Sequence, residues 1–220
     1  MDLRFALIRE GNSDDGIIPH IRVLLMRAGA RSVVGAPRQY TGSTRSRIQQ
    51  VMSEDPSPEL IFVHRDADAR DSGPRHREIA DAALALGCSS RVVGVVPVQE
   101  LEAWLLTDEM AIRWAVGRPS GRSRVALPPI ARIESTSSPK ELLQEACLTA
   151  SEKSGARRKK EKAQFSTRRR MILDRLDIDG SVMGLPSWQR FVEDLKTAAA
   201  FALAGAQATP VQDSERSTAM

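Results

Sequence analysis

Residues 59–68 read ELIFVHRDAD, an apolar stretch that ends in two acids. A short continuous apolar run is typical of a strand that is buried inside a sheet. The Pro and Ser residues of EDPSPE, just before it, indicate a loop. This stretch therefore predicts a buried strand whose carboxyl end carries Asp66 and Asp68.

Strand and helix patterns alternate on both sides of this stretch, along the first 115 residues. Residues 3–9, LRFALIR, predict another buried strand, and residues 17–28 have the three- and four-residue apolar spacing of a helix that Gly29 would end. Further strands are predicted at residues 31–35 and 91–98, and further helices at residues 43–52, 75–86 and 99–116. Such alternation predicts an α/β fold with a mostly parallel sheet flanked by helices.

The patterns after residue 116 are helical. Residues 138–146, SPKELLQEA, predict a helix with Ser138 as its N-cap, and residues 168–178 and 186–203 predict two more helices. The final residues lack periodicity, which predicts disorder. The expected organisation is a catalytic domain at residues 1–117, a helical C-terminal region at residues 118–204 and a disordered tail at residues 205–220.

The composition excludes several classes of protein. The 220 residues contain no uncharged apolar run near the roughly 18 residues that span a bilayer, and the start of the chain does not resemble a secretory signal, so we expect a cytoplasmic protein with no membrane partner. Cys88 and Cys147 lie far apart without paired spacing, which favours buried thiols over a disulfide or a zinc site. The net charge of +4 permits a polyanionic partner without requiring one.

Acids follow three of the predicted strands. Glu10 follows the first strand, with Asp14 four residues later, Asp66 and Asp68 follow the strand at 59–68, and Glu100 and Glu102 follow the last one. The carboxyl ends of parallel strands lie at one edge of a sheet, so these side chains can converge on one cavity. Several carboxylates in one cavity repel one another unless cations are bound, and hard oxygen ligands suit Mg²⁺ or Mn²⁺.

These residues also carry a resemblance to a known family. Residues 10–14, EGNSD, resemble the E-G-x-[ST]-[ED] element of Toprim domains, and HRDAD resembles their D-x-D element. The segments VPVQELEAWLL, SPKELL and PSWQRFVEDL are similar to later segments of small bacterial Toprim-like proteins related to OLD-family nucleases. The resemblance covers residues 3–196, and the ordered set of motifs is more specific than any one of them.

The resemblance implies roles for particular residues. It makes Glu10 a metal ligand or general base, Asp66 and Asp68 metal ligands, and Asp14 a ligand for a second metal. It favours Glu102, which is the acid of the E-A-W-L-L segment, over Glu100. Two residues that are two apart in a helix point to roughly opposite sides, so only one of these acids is expected to face the metals. Lys140 would balance charge on the scissile phosphate, or lie in solvent at the first turn of its helix. The implied catalytic residues are Glu10, Asp66, Asp68, Glu102 and Lys140, and the implied Mg²⁺ or Mn²⁺ ligands are Glu10, Asp14, Asp66, Asp68 and Glu102.

A basic run follows in the helical region. Residues 157–170 contain eight Lys or Arg residues against one Glu. Such a run is either a solvated helix face or a surface that follows a nucleic-acid backbone. The candidate nucleic-acid contacts are Arg157, Arg158, Lys159, Lys160, Arg168, Arg169 and Arg170.

The function expected from the resemblance is metal-dependent hydrolysis of phosphodiester bonds in DNA or RNA. The resemblance also implies a role in defence against phage or mobile DNA, with a separately encoded ATPase as partner. Two alternatives stay open: a non-enzymatic nucleic-acid-binding or partner-docking subunit, and an enzyme that transfers or hydrolyses phosphate on a small nucleotide. The oligomeric state is not predicted.

Aromatic and histidine residues offer no competing site. Tyr40 is the only tyrosine and lies in a polar stretch, which argues against covalent strand passage. The three tryptophans have helical spacing among apolar residues and are predicted to be core residues: Trp104, Trp114 and Trp188. His20 is predicted at the polar edge of its helix. His64 is predicted inside a strand next to the acids, as a structural histidine or one that contacts the metal ligands, and not as a zinc ligand.

Overall fold

A four-stranded parallel sheet forms the centre of the molecule in a computed structural model that describes residues 1–207. The strand order is β2-β1-β3-β4, and Ala6 of β1 lies opposite both Ala36 and Ile61. The predicted α/β fold is confirmed. The strands are β1 (Asp2–Ile8), β2 (Ser32–Arg38), β3 (Leu60–His64) and β4 (Val92–Val95).

Helices connect the strands and form the second half of the chain. Ser43 caps α2, because its side chain accepts a hydrogen bond from the Ser46 amide at 3.2 Å, and Gly29 follows α1 with a φ of 108° that favours glycine. The helices are α1 (Ile18–Arg27), α2 (Thr44–Met52), α3 (Gly73–Ala85), α4 (Glu102–Leu105), α5 (Glu109–Ala115), α6 (Ile130–Ile133), α7 (Pro139–Ala150), α8 (Gly155–Ala163), α9 (Phe165–Arg175) and α10 (Pro186–Gln207). Short 3₁₀ turns lie at Asn12–Ile17, Ser89–Arg91 and Ser181–Gly184.

The single helix predicted over residues 99–116 is wrong. The chain forms α4 and α5 instead, with Asp108 between them. The Asp108 side chain accepts a hydrogen bond from the Ala111 amide at 2.8 Å, so it caps a new helix. A capping residue inside an apolar helical pattern therefore starts a second helix rather than continuing the first.

The two faces of the sheet carry separate cores. Alternate residues of a strand point to opposite faces, so Phe5 and Phe62 lie in the larger core and Ala6 and Ile61 in the smaller one. The smaller core is closed by α2 and α3. The larger core is closed by α1 and α10 and extends through the helices that follow residue 117. The helical C-terminal region thus shares a core with the strands.

Aromatic residues join α10 to the rest of the molecule. The Trp188 ring lies 4.9 Å from that of Trp104 in an edge-to-face arrangement, and the Phe191 ring lies 6.3 Å from that of Phe62. Trp104 and Trp188 are core residues, as predicted. Trp114 is not, because it is 49% exposed and lies beneath the Arg175 guanidinium.

Other sequence predictions have mixed outcomes. Cys88 and Cys147 are buried free thiols, as expected. His20 does not lie at a polar edge: it is buried, and its Nε2 contacts the Leu173 carbonyl at 2.6 Å. Within residues 1–207, no helix is long and apolar enough to cross a membrane. The predicted tail at residues 205–220 lies outside the described residues from position 208 onward, and its first three residues belong to α10.

Removing the Trp188 indole should expose how much α10 contributes to the fold. Trp188→Ala creates a cavity in the larger core, so we expect the free energy of unfolding to fall by about 3–5 kcal/mol in urea titrations. Trp114→Ala is the matched control, because that ring is half-exposed and its loss should cost about 1 kcal/mol. Equal losses for the two variants would contradict this account of the core.

Candidate functional site

One cleft lies at the carboxyl ends of β1, β3 and β4. Glu10 follows β1, Asp66 follows β3 and Glu102 begins α4 after β4, so three separate chain segments meet there. We call this cleft of about 340 Å³ the acidic cleft. It is lined by Glu10, Gly11, Ser13, Asp14, Asp66, Glu100, Glu102, Lys140, Phe165, Ser166 and Arg169.

Asp14 is the most enclosed carboxylate of the acidic cleft. Its Oδ2 accepts a hydrogen bond from the Gly11 amide at 2.8 Å, and its Oδ1 lies 3.1 Å from the Arg169 guanidinium. His64 approaches Oδ2 at 3.2 Å. Burial alone would raise the pKa of Asp14, but the hydrogen bonds and the charges of His64 and Arg169 hold it well below its usual range.

His64 is buried between two carboxylates. Its Nδ1 lies 3.2 Å from Asp14 and its Nε2 lies 3.3 Å from Asp66 Oδ1, although the second contact is not aligned as a hydrogen bond. Burial alone would lower the pKa of His64, but the two carboxylates outweigh it and raise the pKa to about 10. His64 is therefore a cation at neutral pH, with its Nδ1–H directed at Asp14 and its Nε2 close to Asp66.

Arg169 extends from α9 into the acidic cleft. The residue is 8% exposed, and its Nε lies 2.7 Å from Glu102 while its Nη1 donates to Ser13 at 2.5 Å and to Asp14 at 3.1 Å. Arg169 was predicted as a nucleic-acid contact, but the structure turns it away from the surface. Its position could have been found from the sequence, because Ile172 and Leu173 lie one turn later on the same buried face of α9.

Glu10 and Asp66 face the cleft beside each other. Glu10 Oε1 lies 2.7 Å from the Arg65 guanidinium, and its Oε2 accepts a hydrogen bond from the Asp66 amide at 3.3 Å. Asp66 Oδ1 accepts from the Leu101 amide at 3.0 Å, which holds the chain after β4 against the chain after β3. These contacts explain why two distant acids come together at the sheet edge.

Both Glu100 and Glu102 line the acidic cleft. The prediction that only one of them would do so assumed a helix through both residues, whereas α4 begins at Glu102 and Glu100 precedes it. Burial raises the pKa of Glu100, and repulsion from Glu102 and Asp66 raises it further, while Lys140 opposes this change. Lys140 thus lies where its charge acts on the carboxylates of the cleft.

Asp68 does not line the acidic cleft. Its side chain is 69% exposed and pairs with Arg75 at 3.0 Å. The two acids of a D-x-D would share a face on a continuous strand, but β3 ends at His64 and Asp68 has a φ of 53°. That backbone conformation directs its side chain toward α3 instead of toward Asp66.

The basic run divides among three environments. The exposed members are Arg157, Lys159, Lys160, Lys162 and Arg170. Two members form ion pairs, Arg158 with Glu145 at 2.6 Å and Arg168 with the buried Glu161 at 2.5 Å. Arg169 alone lines the acidic cleft, and Arg170 follows it on the exposed side of α9.

The acids of the cleft fit a divalent cation unequally. Asp14 and Glu102 already contact Arg169, while Asp66 Oδ2 makes no hydrogen bond within residues 1–207. No group of three or more His, Cys, Asp or Glu side chains in the described part of the chain is arranged to hold a metal ion. The hard oxygen atoms of Glu10 and Asp66 are the ones whose chemistry and exposure fit Mg²⁺ or Mn²⁺.

Comparison of the chain with protein-family models, with curated proteins and with solved structures finds no significant match. The fold and the acidic cleft describe the class of the protein. It is a parallel α/β protein with an acidic cleft at the carboxyl ends of its strands, in which buried cationic side chains neutralise buried carboxylates.

The pKa of His64 predicts a pH-dependent stability. Because that pKa is about 10 in the folded protein and 6.5 for an ordinary histidine, the charged ring stabilises the fold fully below about pH 6.5, and this contribution is lost as the pH rises through about 10. Urea unfolding in EDTA should show that the advantage of the wild type over His64→Gln shrinks between about pH 6.5 and pH 9.5.

His20→Gln is the control for this measurement. Burial lowers the pKa of His20, so its ring is neutral in both the folded and the unfolded chain above about pH 7.5 and its substitution should have a constant effect there. If the His64→Gln difference were equally constant, His64 would be neutral in the folded protein.

Proposed function

We propose that the protein is a nuclease that hydrolyses phosphodiester bonds of DNA or RNA with Mg²⁺ or Mn²⁺. The observation that supports this proposal is the meeting of carboxylates from three strand ends in one cleft that also contains Lys140. The E-G-N-S-D and D-A-D elements, which resemble those of Toprim domains, supply three of the acids that line the cleft: Glu10, Asp14 and Asp66. When bound, the cation supplies neutralisation of the charge that develops on the attacked phosphate and the leaving oxygen.

Three residues of the cleft and two residues beside it then have a part in the reaction. Glu10 and Asp66 hold the cation, and Lys140 contacts a phosphate oxygen of the substrate. His64 holds Asp66 in place through its Nε2 contact. Arg170 lies one turn after the cleft residue Ser166 on α9 and follows the adjoining backbone phosphates.

The cellular setting belongs to the same proposal. The protein acts in the cytoplasm in defence against phage or mobile DNA, with a separately encoded ATPase as its partner. These parts are supported by the resemblance to small Toprim-like proteins alone, and the geometry of the acidic cleft carries none of them.

A second candidate function is a non-enzymatic nucleic-acid-binding or partner-docking subunit. The observation that favours it is that Arg169 and His64 neutralise Asp14 and Glu102 without any metal ion. In this case the acids hold the fold together at the sheet edge, and the exposed basic residues bind the partner.

Asp66→Asn separates the two functions. The amide keeps nearly the same shape but loses the charge that attracts a cation, so cleavage of plasmid, linear DNA and RNA in Mn²⁺ should be abolished. The rise in melting temperature on adding Mn²⁺ should also fall, because a ligand stabilises a protein in proportion to its affinity for the folded state.

Asp179→Asn is the charge-matched control, since Asp179 pairs with Arg27 on the exposed surface away from the cleft. It should leave cleavage and the Mn²⁺ response unchanged. Asp68→Asn tests whether the exposed acid of the D-x-D also acts, as the resemblance implies. Cleavage that persists in purified Asp66→Asn protein, free of contaminating nuclease, would contradict the proposal.

Salt dependence tests which basic residues contact a nucleic acid. Lys140→Ala and Arg170→Ala should each weaken binding across sequences and reduce the slope of log K against log salt by about one. Arg31→Ala removes the same charge at the amino end of β1, where Arg31 pairs with Asp2, and should leave the slope unchanged. Equal slopes in all three variants would show that Lys140 and Arg170 do not contact the nucleic acid.

A further inference from the structure

Arg169 lies between two acids of the cleft, Asp14 and Glu102. Its Nε contacts Glu102 at 2.7 Å and its Nη1 contacts Asp14 at 3.1 Å, so one guanidinium bridges both carboxylates. Nη1 also donates a hydrogen bond to the Ser13 hydroxyl, which is the third hydrogen bond of this guanidinium. The planar guanidinium holds its donors in a fixed fork, which suits it to bridge two carboxylates.

The two acids are buried, and this makes their neutralisation obligatory. Asp14 and Glu102 are each less than a twentieth exposed, and an unpaired carboxylate at such a position is strongly disfavoured. The cations that face them are Arg169 for both acids and His64 for Asp14. Both carboxylates are therefore paired with Arg169, and Asp14 also contacts the His64 ring that it shares with Asp66.

The other half of the acidic cleft is not balanced in this way. Glu10, Asp66 and Glu100 line it without a contact to Arg169, and the cations near them are the Arg65 guanidinium beside Glu10, the shared His64 and Lys140. Arg65 is also paired with Glu78, and His64 is also paired with Asp14, so this half has an excess of negative charge.

We infer that Arg169 permanently neutralises the Asp14–Glu102 pair, and we call it the resident cation of that pair. The acidic cleft then binds one divalent cation, beside Glu10 and Asp66, and not two. The inference about cation number rests on the proposed function, whereas the assignment of Arg169 rests on the ion pairs alone. Asp14 and Glu102 then position Arg169 and His64 instead of binding metal.

Counting bound Mn²⁺ on the full chain tests this inference. Electron paramagnetic resonance of free Mn²⁺ should give one bound ion for the wild type and one for Arg169→Lys, which keeps the charge. Arg169→Gln removes the charge, so it should bind one additional ion, melt at a lower temperature in EDTA and gain more from Mn²⁺ than the wild type does. Two ions on the wild type, or no additional ion on Arg169→Gln, would overturn the inference.

Glu102→Gln provides a second test that does not depend on the folding of Arg169→Gln. Arg169 keeps Asp14 as a partner in this variant, so its affinity for Mn²⁺ should stay within about twofold of the wild type, while Asp66→Asn should lose at least about tenfold. A tenfold loss of Mn²⁺ affinity in Glu102→Gln would identify Glu102 as a metal ligand and contradict the inference.

The outcomes separate this inference from the proposed function. A wild type that binds no Mn²⁺ while Arg169→Gln gains one ion would reject the metal-dependent nuclease and uphold Arg169 as the resident cation. A wild type that binds one ion, with the same count in Arg169→Gln, would reject the role of Arg169 and leave the nuclease standing.

Discussion

Burial of Asp14 is the constraint around which the site is organised. A carboxylate in this position needs cations and hydrogen-bond donors, and it obtains them from three separate parts of the chain: the Gly11 amide, His64 at the end of β3 and Arg169 on α9. Because each donor comes from a different element, the pairing of one acid fixes the turn after β1, the end of β3 and a helix of the C-terminal region relative to one another. The same contacts set the shape of the acidic cleft.

The sheet could be predicted from the sequence because its signals are local. The apolar runs of β1 and β3 are continuous, and parallel strands bring Glu10 and Asp66 to the same edge whatever the loops do. The orientation of Asp68 could not be predicted in the same way. It depends on β3 ending at His64 and on a left-handed backbone conformation at Asp68 itself, neither of which a short acidic motif specifies.

Which aromatic residues of the helical region are buried was harder to predict, because helical spacing is the same for buried and exposed residues. Trp104, Trp114 and Trp188 all have helical spacing among apolar residues, yet only Trp104 and Trp188 are buried. Their burial depends on α10 crossing the sheet face, which periodicity along one segment cannot reveal. The proposed boundary at residue 117 reflects a change of pattern along the chain, whereas the larger core runs across it and joins both parts.

Three consecutive arginines illustrate why composition alone is a poor guide to function here. Successive residues of an α-helix point about 100° apart, so Arg168, Arg169 and Arg170 must leave α9 in three directions. Arg168 pairs with the buried Glu161, Arg169 enters the acidic cleft and Arg170 reaches solvent. A basic run that looks like one surface in the sequence is therefore divided among three environments in the fold. Only its exposed members can contribute to a salt-dependent interaction with a polyanion. Part of the positive charge of the run is therefore neutralised within the fold: Arg158 and Arg168 pair with acids of α7 and α8, and Arg169 pairs with the acids that the sheet edge brings together.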